Sequence, residues 1–538
     1  MIRILHSTQR LIRDSVLRTL FWLIPLLFVR CEKSYGIEVS LGPETTISIS
    51  SGIEECIYRE QDILLREMQA RNQVADFKEY KGTYTVSFHN GKDARFSDKV
   101  FPLILPDENT GKWKLSGRKT DISIQRNADK SVRLPALDGG EDGFWTLDGT
   151  HTDLPTDEYL KFCLEEGNDT LNVKGFLSVD DILYIYLSDD SIRKYSVLRE
   201  GFYRVPDYWM EHLVEKEKKI EATIAETGGD YASFVFFTDA HWGFNFKHSS
   251  ALVRHITEFT PVSDVFFGGD VITDRFGDKS KALALGKDFQ ASFAYLGPRF
   301  FCVYGNHDDN SDGQPKLTAN HLSEELVISY LQSQMTELDR KDGYNFYFDD
   351  PVSKTRFIGL DTGRYYYNGD FRIKTPDTAQ FLVDALQDVP EGWHIVSVSH
   401  IWAVYKLVDG KPSSIFNAYF NTFLKIIDDY NGRKKGTFKY DNTAVDYDFT
   451  DAQAEALLCI GGHTHNDKLL HTEGKEPVMI IGADSLKRGD YSGIQGTIGE
   501  QHLVVFVLDY AHRNIHMIFL GNTEDRILEM PTFQNPAM

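Results

Sequence analysis

The second half of this sequence predicts an α/β fold, and a helix-plus-β accessory region precedes it. Three observations carry that reading. From residue 229 onward, apolar strand-like runs alternate with helical patterns, the arrangement expected of an α/β domain. Residues 81–200 read instead as consecutive short strands with polar turns. Finally, five apolar runs in the second half end alike, in small or polar residues followed by Asp, His or Asn.

Taken from the N-terminus, residues 1–36 carry six basic and two acidic residues and include the apolar run LFWLIPLLFV at 20–29. Ten apolar residues fall short of the roughly 20 needed to cross a bilayer, whereas a basic leader ahead of a short apolar block fits an export signal. The expectation is an exported chain, periplasmic or at the cell surface, with membrane attachment through the N-terminus as a variant. Cys31 directly follows the leader in the manner of a lipid-accepting cysteine, although Arg30 is not the small residue such a site prefers. Ser34-Tyr35-Gly36 offers another cleavage point. The formal charge of the full chain is −22, and without the leader it would be −26.

Residues 37–80 form an amphipathic helical segment. Ile53, Ile57, Leu64, Met68 and Ala75 recur at spacings of 4, 7, 4 and 7, which suits either a short coiled-coil stripe or a helix packed on its own domain. The β-rich module spans 81–200. TYTVSF and KDARF flank Asn90-Gly91, a tight-hairpin signal, and residues 180–197 repeat that style. LDGGEDGFWTLDG at 137–149 is acidic but lacks the oxygen-ligand spacing of a calcium loop, so it reads as a solvated turn. The region loosely resembles the N-terminal accessory modules of exported bacterial surface and periplasmic proteins. Residues 201–228 read as a linker helix opening near Asp207, with the boundary at Gly228-Gly229.

A second, α/β domain is expected over 229–538. Asp239 and His241 follow Phe234–Phe237, Asp270 follows Val265–Phe267, and Asn306, His307 and Asp308 follow Phe301–Tyr304. His400 follows Ile395–Val398, and His463 and His465 follow Leu457–Ile460. One such site could be a capped turn or a satisfied core histidine; five in series are harder to explain so. In open α/β sheets, ligands gather outside the carboxyl ends of the strands. Imidazole, carboxylate and amide oxygen together suit Zn, Fe or Mn, and seven candidate ligands suit two ions rather than one. The five cysteines are too widely spaced for a disulfide framework or a zinc knuckle. The acidic balance excludes a binder of nucleic acid polymer, which needs a basic face, but leaves room for a small phosphorylated substrate held by metal ions.

In order, D-x-H, G-G-D, G-N-H-D, S-H and G-H-T-H make a series that resembles the calcineurin-like metallophosphoesterase family over about 310 residues. The resemblance implies a two-sheet sandwich flanked by helices and a dinuclear centre that activates water for in-line attack on phosphorus. It assigns Asp239, His241 and His465 to one metal, Asn306, His400 and His463 to the second, and Asp270 as the bridge. His307 matches the catalytic histidine, with Asp308 or Asp274 to orient it. Trp242, Phe244, Phe246 and Trp402 lie beside the ligands in sequence. The tyrosine- and arginine-rich stretch at 356–372 reads as a pocket wall, with Arg364, Arg372 and Trp242 as candidate substrate contacts. The aromatic insert at 403–450 suggests a lid or a contact with the N-terminal module. A phosphoester hydrolase is therefore the leading expectation. Its rivals are an adhesion protein built on a phosphoesterase-derived scaffold, and a hydrolase of glycan or lipid phosphates targeted by its N-terminal module.

Overall fold

The computed structural model describes residues 38–40, 46–107, 109–127, 132–156, 171–179, 181–198, 203–241, 246–273, 276–310, 319–362, 375–401, 407–408, 411–412, 416–440, 443–463, 465, 468–470, 478–481 and 495–531. The leader and Cys31 lie outside the described residues, as do Trp242, Phe244, Asp274, Arg364, Arg372 and Trp402. Among the described residues, no helix is long and apolar enough to cross a membrane. The chain divides into two compact units, Met1–Glu200 and Gly201–Met538.

In the first unit, a helix at Ile49–Gln69 buries Leu64 and Met68, two members of the predicted stripe. The helix stops short of Ala75: Arg71 turns left-handed (φ 54°), Asn72 N–H closes on the Glu67 carbonyl at 3.0 Å, and Val74–Tyr80 becomes a strand. Cross-strand pairing with Thr83–Phe88 outweighs the helical periodicity there. The Asn90-Gly91 hairpin forms as expected, joining Thr83–Phe88 to Asp93–Ser97. A six-stranded sheet follows, with Trp113, Phe176, Leu183 and Ile185 fully buried.

The second unit is a sandwich. Strands β1 (Tyr231–Phe237), β2 (Asp264–Phe267) and β3 (Phe300–Cys302) run parallel. β4 (Arg340–Asp342), β5 (Asn345–Asp350), β6 (Thr355–Leu360), β7 (His394–Ser399), β8 (Glu455–Gly461), β9 (Lys468–Leu470) and β10 (Val478–Ile481) form the second sheet. Its order is β4-β5-β6-β7-β8-β10-β9, parallel through β6, β7, β8 and β10. β11 (His502–Asp509), β12 (Asn514–Gly521) and β13 (Arg526–Glu529) complete the first sheet in the order β3-β2-β1-β11-β12-β13.

The central strands are unbroken apolar runs because both faces are covered. Phe234, Phe266 and Phe301 point inward and meet Phe348 and Phe357 of the opposite sheet, with Phe301 and Phe348 stacked at 4.1 Å. Phe237 and Phe267 point outward onto Phe293 and Phe289, which lie at the end of the helix Lys279–Ser292. Each such ring contributes about 1.5–3 kcal/mol by burial.

Three expectations change here. The segment read as a linker folds into the second unit: Met210–Glu226 buries Leu213 and Ile220 along one stripe and is tied by Lys216 and Lys219 to Asp525. Phe246, expected near the pocket, is buried in the core, since the helix Phe246–Phe259 is amphipathic. Within the insert, the described part is core material too. Phe423, Ile427 and Tyr430 of the helix Phe416–Asn431 pack with Phe438, Val445 and Phe449 on the outer side of the second sheet.

At the amino end of β7, His394 stacks on Tyr510 with ring centroids 4.0 Å apart. Burial, with Arg513 adding, lowers its pKa to about 4. The unfolded chain therefore binds a proton between pH 6.5 and 4 that the native state refuses. Stability is lost as pH falls through that window, by up to about 3 kcal/mol. Thermal melts should show a shallower decline from pH 6.5 to 4.5 in His394→Gln than in wild type; parallel curves would discount this histidine.

Candidate metal centre

Every strand that delivers a candidate ligand does so at its carboxyl end. β1 leads to Asp239 and His241, β2 to Asp270, β3 to Asn306 and His307, β7 to His400, and β8 to His463 and His465. Parallel pairing within each sheet brings those ends into one row, and the sandwich sets the two rows face to face. The backbone continues the pairing past the strands: Asp239 N–H donates to Gly269 O at 2.9 Å, His241 N–H to Asp270 O at 2.9 Å, and Gly462 N–H to His400 O at 2.9 Å.

Small residues before the ligands are required by this close approach. A Cβ on Gly305 would fall 2.2 Å from both the amide nitrogen and Oδ1 of Asp270, and one on Gly462 would fall 2.5 Å from Asp239 Oδ2. Asp239, His241, Asp270, His463 and His465 all have left-handed backbone, with φ between 44° and 72°. Outside glycine that conformation costs on the order of 1 kcal/mol per residue, and such strain concentrates at functional sites.

Three sets of donor atoms converge: Asp239, His241 and His465; His241, Asp270 and His307; and Asp270, His400 and His463, each within 4.8 Å of one another. Nε2 of His241 lies 2.9 Å from Nε2 of His465, which is 3.1 Å from Asp239 Oδ1. On the other side, His400 Nε2 lies 3.0 Å from Asp270 Oδ2 and 3.2 Å from Asn306 Oδ1. Atoms sharing one ion at about 2.1 Å sit about 3–3.5 Å apart, so both sets have the spacing of a coordination shell.

Asp270 joins them. Its Oδ1 accepts the His307 amide at 2.9 Å. Its Oδ2 is buried and lies 3.0 Å from His400 Nε2, 3.8 Å from His307 Nε2 and 3.9 Å from His241 Nε2. A buried carboxylate is costly unless positive charge meets it, from an imidazolium or from a metal ion. The residues therefore fit divalent metal.

The electrostatics agree. Burial opposes charge on Asp270, but His400, His307 and His241 outweigh it and hold its carboxyl well below the usual range. Asp239 is lowered too, against burial, by His465 first and then by His400 and His241. Burial lowers His241, and burial together with His400 lowers His463 to about 4; both shifts favour the neutral imidazole, which has a lone pair to offer. His400 goes the other way: burial lowers it, yet Asp270, by charge and by a side-chain hydrogen bond, and then Asp239 and the Gly268 carbonyl raise it to about 9, so without metal it pairs with Asp270 and a bound ion would take the place of its proton. Its Nδ1 meets Gly268 O at 2.6 Å, which directs Nε2 inward. Access is uneven: the side chains of His307 and His465 are 28% and 22% exposed, while those of Asp239, Asp270 and His400 are at most 1% exposed.

The sequence reading missed some supporting groups. Thr238 Oγ1 donates to Asp239 Oδ2 at 2.8 Å, and the His463 amide reaches both oxygens of the same carboxylate. The Gly268 carbonyl is a main-chain partner with no side-chain signal. Asp308, one of the two acids offered to orient His307, accepts main-chain amides from Gly305, Asp270 and Val271; the other, Asp274, lies outside the described residues.

Residues 232–467 match the family model for calcineurin-like phosphoesterases. No curated protein matches the chain. Among solved structures it is similar to a dimetal phosphatase from Danio rerio, at 14% identity and TM-score 0.36 over 55% of this chain and 98% of that one. A conserved uncharacterized protein of Streptococcus pneumoniae, a predicted phosphoesterase, is similar at 10% identity and TM-score 0.23, over 56% and 98%. Phosphopantetheinyl hydrolase from Mycobacterium tuberculosis is similar at 9% identity and TM-score 0.25, over 47% and 89%.

Proposed function

We propose that this chain, whose residues 232–467 match the family model for calcineurin-like phosphoesterases, is a hydrolase of phosphoesters that works with two divalent metal ions. The observation that carries the reading is the buried Asp270 Oδ2, which lies within 4 Å of three imidazoles. Asp239, His241 and His465 would hold one ion, Asn306, His400 and His463 the other, and Asp270 both. Bound there, Mn, Fe or Zn would supply Lewis acidity, neutralise phosphoryl charge and lower the pKa of water toward 7.

The chain's own residues do the rest. The left-handed ligand positions and Gly268 O hold the donors in place before substrate arrives. His307, whose side chain is 28% exposed, can be reached from solvent and donates a proton or hydrogen bond to a phosphoryl oxygen or the departing alkoxide. An acidic protein can accept an anion here because cations would dominate the local field. The substrate is a small phosphorylated molecule, mono- or diester. The basic leader and its ten apolar residues support export of the chain, to the periplasm or cell surface.

The reading is tested by metal content and by hydrolysis of aryl phosphomonoester and phosphodiester substrates. About two transition-metal ions per chain with turnover of one ester class is the expected result. A chain that takes up no metal on reconstitution overturns it.

A further inference from the structure

Asp308 follows His307 directly, but its carboxylate turns away from solvent and is fully buried. Oδ2 accepts from Gly305 N–H at 2.8 Å and Asp270 N–H at 3.1 Å, and Oδ1 accepts from Val271 N–H at 2.7 Å. These amides belong to two loops, one leaving β3 and the other leaving β2. The same residue is fixed through its main chain: Asp308 N–H donates to Gly305 O at 3.3 Å, and the buried Tyr330 hydroxyl donates to Asp308 O at 2.6 Å. Three main-chain donors from two loops therefore converge on the two oxygens of one buried carboxyl group.

We propose that Asp308 is a positioning residue for the metal centre: its carboxylate pins the loop carrying Asp270 to the loop carrying Asn306 and His307. With the two loops joined, the His307 amide reaches Asp270 Oδ1, and Oδ2 is left aimed at His400 and His241. The spacing between the two ligand sets therefore depends on a residue that binds neither ion. The apolar strands below hold the fold independently, so loss of the clamp loosens the ligands before it unfolds the chain. This deepens the two-ion reading and rests on it.

Asparagine keeps the volume of Asp308 but sets an amide N–H against one of the three main-chain donors. Full-length wild type, Asp308→Asn and Asp309→Asn, stripped by chelation, are titrated with Mn²⁺ and bound metal is measured directly. Asp308→Asn should bind about 10–100-fold more weakly with unchanged far-UV circular dichroism, while Asp309→Asn should match wild type. Wild-type affinity in Asp308→Asn overturns the clamp. A wild type that binds no metal overturns the two-ion reading itself, and the clamp with it. Should Asp308→Asn fail to fold, hydrogen exchange in metal-free wild type decides. Protected amides at Gly305, Asp270 and Val271 support the clamp, and exchange at open-loop rates overturns it.

Discussion

Asp270→Asn should lose the paired metal content, falling from about two ions per chain to one or fewer, and with it hydrolysis by on the order of 10³-fold or more. The reason is positional. Oδ2 of Asp270 belongs to both the His400–His463 set and the His241–His307 set, so no other carboxylate in those sets can join them. Asparagine keeps the shape and can keep an oxygen for the His307 amide, but it removes the charge that these four imidazoles surround. Its NH2 group would then face those imidazoles in place of a donor oxygen. Metal analysis beside ester hydrolysis, with a thermal melt to establish folding, checks the expectation. Two ions and near-normal turnover in the variant would remove Asp270 from the bridging role.

His307→Ala should separate what Asp270→Asn combines. Its side chain is 28% exposed, and its Nε2 lies 3.8 Å from Asp270 Oδ2, farther than His400. Rate should fall about 10²–10⁴-fold, the span typical of a lost general acid or hydrogen-bond donor, while metal content stays near wild type. If metal and rate fall together, His307 is a ligand, in keeping with its place beside His241 and Asp270.

Much of this site is legible in the sequence because parallel strands enforce a grammar. An apolar run buried on both faces must end somewhere, and in an α/β sheet its carboxyl end opens where neighbouring strands also end. Asp239, Asp270, Asn306, His400 and His463 each announce themselves in that way. What stays hidden works through the main chain. Asp308 reads as one more acid beside a histidine, and only the meeting of the β2 and β3 loops shows that it accepts amides. The Gly268 carbonyl leaves no mark in sequence at all. Periodicity also misleads where two partners compete for the same residues. Ala75 fits a helical stripe but sits in a strand, because pairing with the next strand satisfies more backbone than another helical turn would. Phe246 and the aromatics of 416–449 look like pocket or lid material, yet amphipathic elements bury such rings in their own core.

The left-handed backbone at five candidate ligand positions also narrows the alphabet from which such ligands can be drawn. Besides glycine, Asp, Asn and His tolerate that conformation best, and those three carry oxygen or imidazole donors. Drift in sequence therefore meets a conformational filter before a chemical one. A β-branched side chain is strained there at once, and cysteine, outside the tolerant set, gains no such allowance. A preference for hard and borderline cations over thiophilic ones would then be encoded in dihedral angles as much as in donor identity. Changing the metal by evolution or by design would mean rebuilding the turns before exchanging the side chains.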